Sequence, residues 1–174
     1  MNFRGLGIGV CLAPVFIFIG CMEPSTRYTR DAEGNLHMMV PADWDYRTSY
    51  HVPESRLKKI ADSYLGTTYK NGGINRKGLD CSGFVCLVFK ELNKATLPRS
   101  SKQLWKLGAS LSPHDGRPGD LVFFRGGFFG GINHVGILMG NNTFIHASSS
   151  NGVVYDTLDE EYYKKNFAGI RRIF

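Results

Sequence analysis

Apolar positions recur at intervals of three and four through Leu57, Ile60, Ala61, Tyr64 and Leu65. That period predicts an amphipathic helix, opened by Pro53-Glu54 and ended by Gly66. Gly72-Gly73 and Gly78 predict a loop. Asp80 then stands as an N-cap before a second helical pattern over residues 81–93, with Phe84, Val85, Val88, Phe89 and Leu92 on one face. A short helix follows Arg99-Ser100-Ser101 and carries Leu104, Trp105 and Leu107. Beyond it the pattern changes to short apolar runs between turn residues, which predict strands. These are Leu121 to Phe124 after the turn Arg117-Pro118-Gly119-Asp120, His134 to Met139, Thr143 to Ser148, Val153 to Thr157, and Gly169 to Phe174. A loop, Gly126 to Gly131, precedes the second strand; its Phe128 and Phe129 are read as packing residues. Glu160 to Asn166 predicts a short helix. Helices first and strands later predict an α+β domain, with N-terminal helices packed on a mostly antiparallel sheet.

The first 52 residues follow a different pattern. Arg4 is the sole charge before Glu23, and from Gly5 to Gly20 the chain is apolar or glycine apart from Cys11 and Pro14. A span needs about 20 apolar residues, so this stretch reads as a secretory signal peptide. It ends at Phe18-Ile19-Gly20-Cys21, which resembles a bacterial lipobox. The expectation is a lipoprotein signal over residues 1–20, lipidation at Cys21, a linker over 21–52 with some ordered packing near Trp44 and Tyr46, and a folded domain over 53–174. The chain would then be exported and held in the cell envelope by an N-terminal lipid anchor in the membrane. Met22 stands where an aspartate often signals inner-membrane retention, so the expected location is the outer membrane, facing the periplasm.

Composition narrows the function classes. Of 174 residues, 43% are hydrophobic and 21% charged, which is enough for a core and excludes a disordered chain. The net charge is +6. Its basic residues are scattered in pairs such as Lys58-Lys59 and Arg171-Arg172, with no run of five. No nucleic-acid motif accompanies them, and no nucleic-acid partner is expected. Of the four cysteines, Cys11 and Cys21 belong to the leader, leaving Cys81 and Cys86. Exported domains usually pair their cysteines, but positions five apart on a helix do not share a face, so an 81–86 bridge is not expected. Cys86 reads as a small core residue.

Cys81 has a chemical context. It would sit in the first turn of a helix, where unpaired N–H groups and the positive end of the dipole stabilise a thiolate. Lowering a thiol from about 8.5 to about 6 would raise the thiolate fraction near neutral pH roughly thirtyfold. His134 and His146 lie on adjacent predicted strands. A two-residue turn at Asn141-Asn142 with regular pairing would put them on opposite faces; a three-residue loop or a bulge would make them diagonal neighbours on one face. In that second arrangement Cys81 attacks a carbonyl carbon, His134 takes the thiol proton and later protonates the leaving amine, and His146 orients His134. The Cys81 N–H would hold the oxyanion. His37, His51 and His114 lack such context and read as surface residues.

These segments also carry a family resemblance. Tyr69-x-x-Gly72-Gly73, Asp80-Cys81-Ser82-Gly83-Phe84, Leu97-Pro98-Arg99-Ser100-Ser101, Gly119-Asp120-Leu121-Val122-Phe123-Phe124, Asn133-His134-Val135-Gly136 and Phe144-Ile145-His146-Ala147 resemble the NlpC-type cell-wall cysteine peptidases, in order, over about residues 55–174. The resemblance implies a compact papain-like cysteine peptidase domain with a Cys-His-His triad. It implies hydrolysis of amide bonds in peptidoglycan stem peptides or their cross-links, commonly next to meso-diaminopimelate, with no cofactor. It further implies that Tyr69 lines the site in an oxyanion or substrate role, and that Asp80, Ser82, Arg99 and Ser100 read the substrate's charged ends. A regulatory protein partner would suit a hydrolase of its own wall. Three other readings use the same residues: a zinc site of Cys81, His134 and His146, disfavoured by the absence of close ligand spacing; a catalytically silent wall-binding lipoprotein; and a lipid or amide acyltransferase or amidase.

Overall fold

The computed structural model describes residues 53–93, 96–126 and 130–173, together with the backbone of segments 27–30 and 36–39. Residues 1–20, Cys21, Trp44, Tyr46, Phe128 and Phe129 lie outside the described residues. Strands β1 (Arg27–Arg30) and β2 (Leu36–Met39) pair antiparallel, an element that the linker reading of residues 21–52 did not include.

Helix α1 (Glu54–Asp62) buries Leu57 and Ala61, as its period requires, and carries Glu54 in its first turn and Lys59 in its last, both favourable to the helix dipole. The predicted glycine loop contains a small hairpin, β3 (Ile74–Asn75) with β4 (Gly78–Leu79). Helix α2 (Cys81–Asn93) keeps its predicted limits. Helix α3 (Ser101–Leu104) is capped by Ser100, whose hydroxyl accepts the Gln103 N–H at 3.2 Å. Strands β5 (Ala109–Leu111), β6 (Leu121–Gly126), β7 (Gly131–Gly140), β8 (Thr143–Ser148) and β9 (Gly152–Thr157) follow, then α4 (Glu161–Asn166) and β10 (Phe167–Arg172). The six strands β5 to β10 form one sheet in the order β5-β10-β6-β7-β8-β9, with every pair antiparallel.

The sheet is buried on both faces. Leu57, Phe84, Val88, Phe89 and Leu104 from the helices share one cluster with Leu121, Phe123, Val135, Ile137, Ile145 and Val153. On the other face Val122, Phe124, Leu138, Phe144 and Ile170 pack with Tyr163 of α4. This explains why Leu121-Val122-Phe123-Phe124 reads as a continuous apolar run and not as an alternation. Each fully buried phenylalanine here stabilises the fold by about 1.5–3 kcal/mol. A buried ion pair ties β10 to the turn before β6: Arg172 of β10 donates from Nε and a terminal nitrogen to the two oxygens of Asp120, at 2.8 and 2.7 Å. Among the described residues no helix is long and apolar enough to cross a membrane.

Candidate active site

The β7–β8 turn settles the question of phase. Asn141 and Asn142 have φ of 48° and 57°, as a type I′ hairpin turn requires, and Gly140 pairs with Thr143. Leu138, however, pairs with Phe144 and Ile137 with Ile145. Met139 is therefore an extra residue, a bulge, and it restores the phase that the two histidines need. In this register Gly136 falls opposite His146, and His134 is the diagonal neighbour of His146 on the same face.

The imidazoles meet there. His134 Nε2 lies 2.6 Å from His146 Nδ1, with the rings nearly perpendicular. His146 is 1% exposed. Phe124 packs against His134, and Phe144 and Tyr163 against His146, so the pair sits in the second cluster. Gly136 makes this possible by its lack of a side chain. A Cβ there would stand 2.8 Å from the Phe144 ring, 3.1 Å from the Ile145 carbonyl oxygen and 3.2 Å from His146 Cβ. Gly136→Ala should therefore displace His146, lowering turnover roughly tenfold or more, and should cost about 1–3 kcal/mol as overpacking. Steady-state kinetics with a urea midpoint checks both; an unchanged kcat would show that His146 tolerates the shift.

Cys81 reaches β7 from the N-terminus of α2. Its Sγ lies 3.9 Å from the Asn133 carbonyl oxygen and faces the Val135 N–H, so the thiol rests on the backbone to either side of His134. Cys81 and Cys86 are both free thiols, as the spacing predicted. The expectation of a lowered thiol pKa is corrected. Burial, and then the charge of Asp80, push Cys81 above its ordinary value, outweighing the stabilising N–H groups of Val135, Ser82 and Cys81. Burial, and then the neighbouring His146, hold His134 well below the usual imidazole value. Both shifts favour the uncharged forms, a thiol and a neutral imidazole. Tyr69 forms a bridge with Leu79, two residues before the thiol. Burial, and then Cys81 and Asp80, push its phenol up, so it stays protonated and able to donate.

The other candidates form a separate cluster behind the thiol. Asp80 is the predicted N-cap: its Oδ1 accepts the Gly83 N–H at 2.6 Å. The same carboxylate accepts from both terminal nitrogens of Arg99, at 3.3 and 3.1 Å, and lies 3.0 Å from the Ser82 hydroxyl. Burial alone would raise Asp80, but Arg99, the Gly83 N–H and Ser82 outweigh it and hold the carboxyl below its ordinary range. Ser82 also contacts the Arg99 carbonyl oxygen at 2.8 Å, and Arg99 contacts that of Gly73 at 3.3 Å. Gly83 has no room for a side chain, since a Cβ would lie 2.2 Å from the Gly73 carbonyl oxygen. Asp80, Ser82 and Arg99 thereby clamp the start of α2 to two loops, and Ser100 caps α3. Their polar atoms are engaged within the chain, although Arg99 keeps 39% of its side chain exposed.

Two residues beside the histidines escaped the sequence reading. Asp156 on β9 places Oδ2 2.8 Å from His146 Nε2. The Tyr163 hydroxyl on α4 donates to that same oxygen at 2.5 Å and lies 3.3 Å from His146 Nε2. His146 pairs with Val154 and Phe144 with Asp156, so Asp156 is again a diagonal neighbour. Among the described residues no group of three His, Cys, Asp or Glu side chains is arranged to hold a metal ion; both ring nitrogens of His146 are engaged by His134 and Asp156.

The sequence model of the NlpC/P60 family matches residues 66–172, which covers both strands of the histidine hairpin and the cysteine helix. The chain belongs to the NlpC/P60 family. Its mixed helix and antiparallel-sheet fold is the papain-like fold of NlpC/P60 domains, as expected. The chain is similar to a murein DD-endopeptidase/murein LD-carboxypeptidase of Escherichia coli K12, at 45% identity over 152 residues, covering 87% of this chain and 79% of the relative. It is also similar to a probable endopeptidase of the same organism, at 46% identity over 67% of this chain and 76% of the relative. Among solved structures, the NlpC/P60 domain of the peptidoglycan hydrolase SagA superposes with a TM-score of 0.60 at 26% identity, covering 70% of this chain and 99% of that domain.

Proposed function

We propose that the protein is a peptidoglycan hydrolase, a cysteine endopeptidase that cuts amide bonds in murein stem peptides or their cross-links. The observation that carries this reading is the thiol of Cys81 resting on the β7 backbone at Asn133 and Val135, to either side of His134, whose ring is hydrogen-bonded to His146, in a chain similar to murein endopeptidases. His134 takes the proton of Cys81 as Sγ adds to the carbonyl carbon, the oxyanion is held by the Cys81 N–H and Tyr69, and His134 returns the proton to the leaving amine. Water, deprotonated by the same imidazole, then hydrolyses the thioester. His146 orients His134 throughout. A bond adjacent to meso-diaminopimelate is the proposed target. Lipidation at Cys21 would hold the enzyme in the outer membrane, facing its substrate from the periplasm.

The test is a digest of purified muropeptides by the full-length protein in detergent, read by chromatography and mass spectrometry. A product whose mass names one cleaved amide supports the reading; intact muropeptides, with the thiol still reactive, would overturn it.

The charge state of the site predicts its pH response. With His134 held down, the base stays unprotonated well below the ordinary imidazole value of 6.5. The acid limb of kcat/KM should therefore lie below 6.5, and activity should be lost only as pH falls through the depressed value. With Cys81 pushed up, alkylation by iodoacetamide should keep rising from about pH 6 to beyond about pH 9. A rate plateau already reached by about pH 6 would show a preformed thiolate–imidazolium pair instead.

A further inference from the structure

We propose that Asp156 is a positioning residue that sets the tautomer of both imidazoles, and so leaves Nδ1 of His134 as the bare ring nitrogen. The inference rests on the reading of His134 as the base. A carboxylate only accepts hydrogen bonds. Asp156 Oδ2, 2.8 Å from His146 Nε2, therefore requires the proton of His146 to be on Nε2. Its Nδ1 is then a lone pair, and at 2.6 Å it accepts the Nε2–H of His134. The only proton of neutral His134 is thus committed to His146, and Nδ1 is left bare as the base. Three side chains step diagonally across β7, β8 and β9, and the last of them dictates the chemistry of the first.

Tyr163 gives the arrangement its directional sense. Its hydroxyl donates to Asp156 and lies 3.3 Å from His146 Nε2. Burial, and then Asp156, keep the phenol protonated. If the carboxylate were removed, this O–H would be free to turn and donate to His146 Nε2. The proton of His146 would move to Nδ1, that N–H would donate to His134 Nε2, and the proton of His134 would be driven onto Nδ1. The base would then be occupied. Asp156 therefore acts both by accepting from His146 and by holding the competing donor.

Three measurements test this. In wild-type protein labelled with ¹⁵N-histidine, long-range ¹H–¹⁵N correlations should show protons on Nε2 of both His134 and His146; a proton on Nδ1 of either ring overturns the proposal. Asp156→Ala should lower kcat by up to about 10⁴-fold, by analogy with wrong-tautomer triads, and should move the protons to Nδ1; wild-type kcat would overturn it. The double change Asp156→Ala/Tyr163→Phe should recover part of that loss, because the inverting donor is gone. A role confined to packing predicts the reverse, a further loss in the double variant. The wild-type tautomers are read without turnover. Nε2–H on both rings in a protein that cuts no muropeptide would support the tautomer assignment while counting against the peptidase reading.

Discussion

Replacing Cys81 with alanine should abolish peptide cleavage, by at least about 10⁴-fold, while leaving the fold in place. The chemistry admits no substitute nucleophile in the proposed mechanism. Among the described residues the other free thiol, Cys86, lies one turn and a half along α2, with Sγ against the carbonyl oxygens of Leu97 and Pro98 at 3.5 and 3.4 Å. The structural cost should be small. Cys81 contributes only Sγ to the cluster, and alanine keeps the helix and the Asp80 cap. Circular dichroism and a urea titration should show near-wild-type stability, and muropeptide digestion should show no product. A variant with most of its wild-type rate would rule out the thiol mechanism.

Asp120→Ala should have the largest effect on stability. Asp120 and Arg172 are 3% and 7% exposed. The carboxylate accepts from Arg172 through two bonds and from the Arg117 N–H at 2.7 Å. Arg172 also donates to the Asp115 carbonyl oxygen at 3.0 Å. Removing the carboxylate takes two charge-assisted hydrogen bonds and an opposite charge from a buried guanidinium, which costs about 3–5 kcal/mol when one partner of such a pair is deleted. For a domain of this size that is a large share of a total of about 5–15 kcal/mol. A fall in the urea midpoint of matching size checks it, with the slope unchanged. Because the pair lies away from the histidines, the folded fraction should retain wild-type kcat. A loss below about 1 kcal/mol would show that water or a neighbouring group replaces the carboxylate.

What could be read in advance divides along a physical line. Features set by near neighbours were legible. Helix α2 keeps its predicted limits because Asp80 caps it and five apolar residues share one face; β8 does so because a turn at Asn141-Asn142 starts it. Cys81, His134 and His146 stood out in their local contexts, and the need for a bulge between the histidines followed from counting residues. Features set by distant partners were not legible. Strands β3, β4 and β5 are two or three residues long, too short for any period, and β5 exists because β10 pairs with it. Asp156 looked like one residue of a strand; a second count across the β8–β9 hairpin would have placed it diagonal to His146. That Asp80, Ser82 and Arg99 bind each other is not disclosed by their residue types. The thiol followed the helix terminus in the sequence reading, whereas burial and Asp80 prevail in the folded chain.

The position of β10 bears on when the protein can come into being. Although it follows the other five strands of the sheet in sequence, β10 lies between β5 and β6. During synthesis the sheet stays split until β10 has appeared, and Asp120 waits some fifty residues for Arg172. Long-range closure of this kind is slow. A growing chain therefore has a hairpin carrying both histidines before it has a closed sheet to hold the cysteine helix against them. A product that lacks β10 is therefore deprived of an interior wall of the sheet and not of an edge.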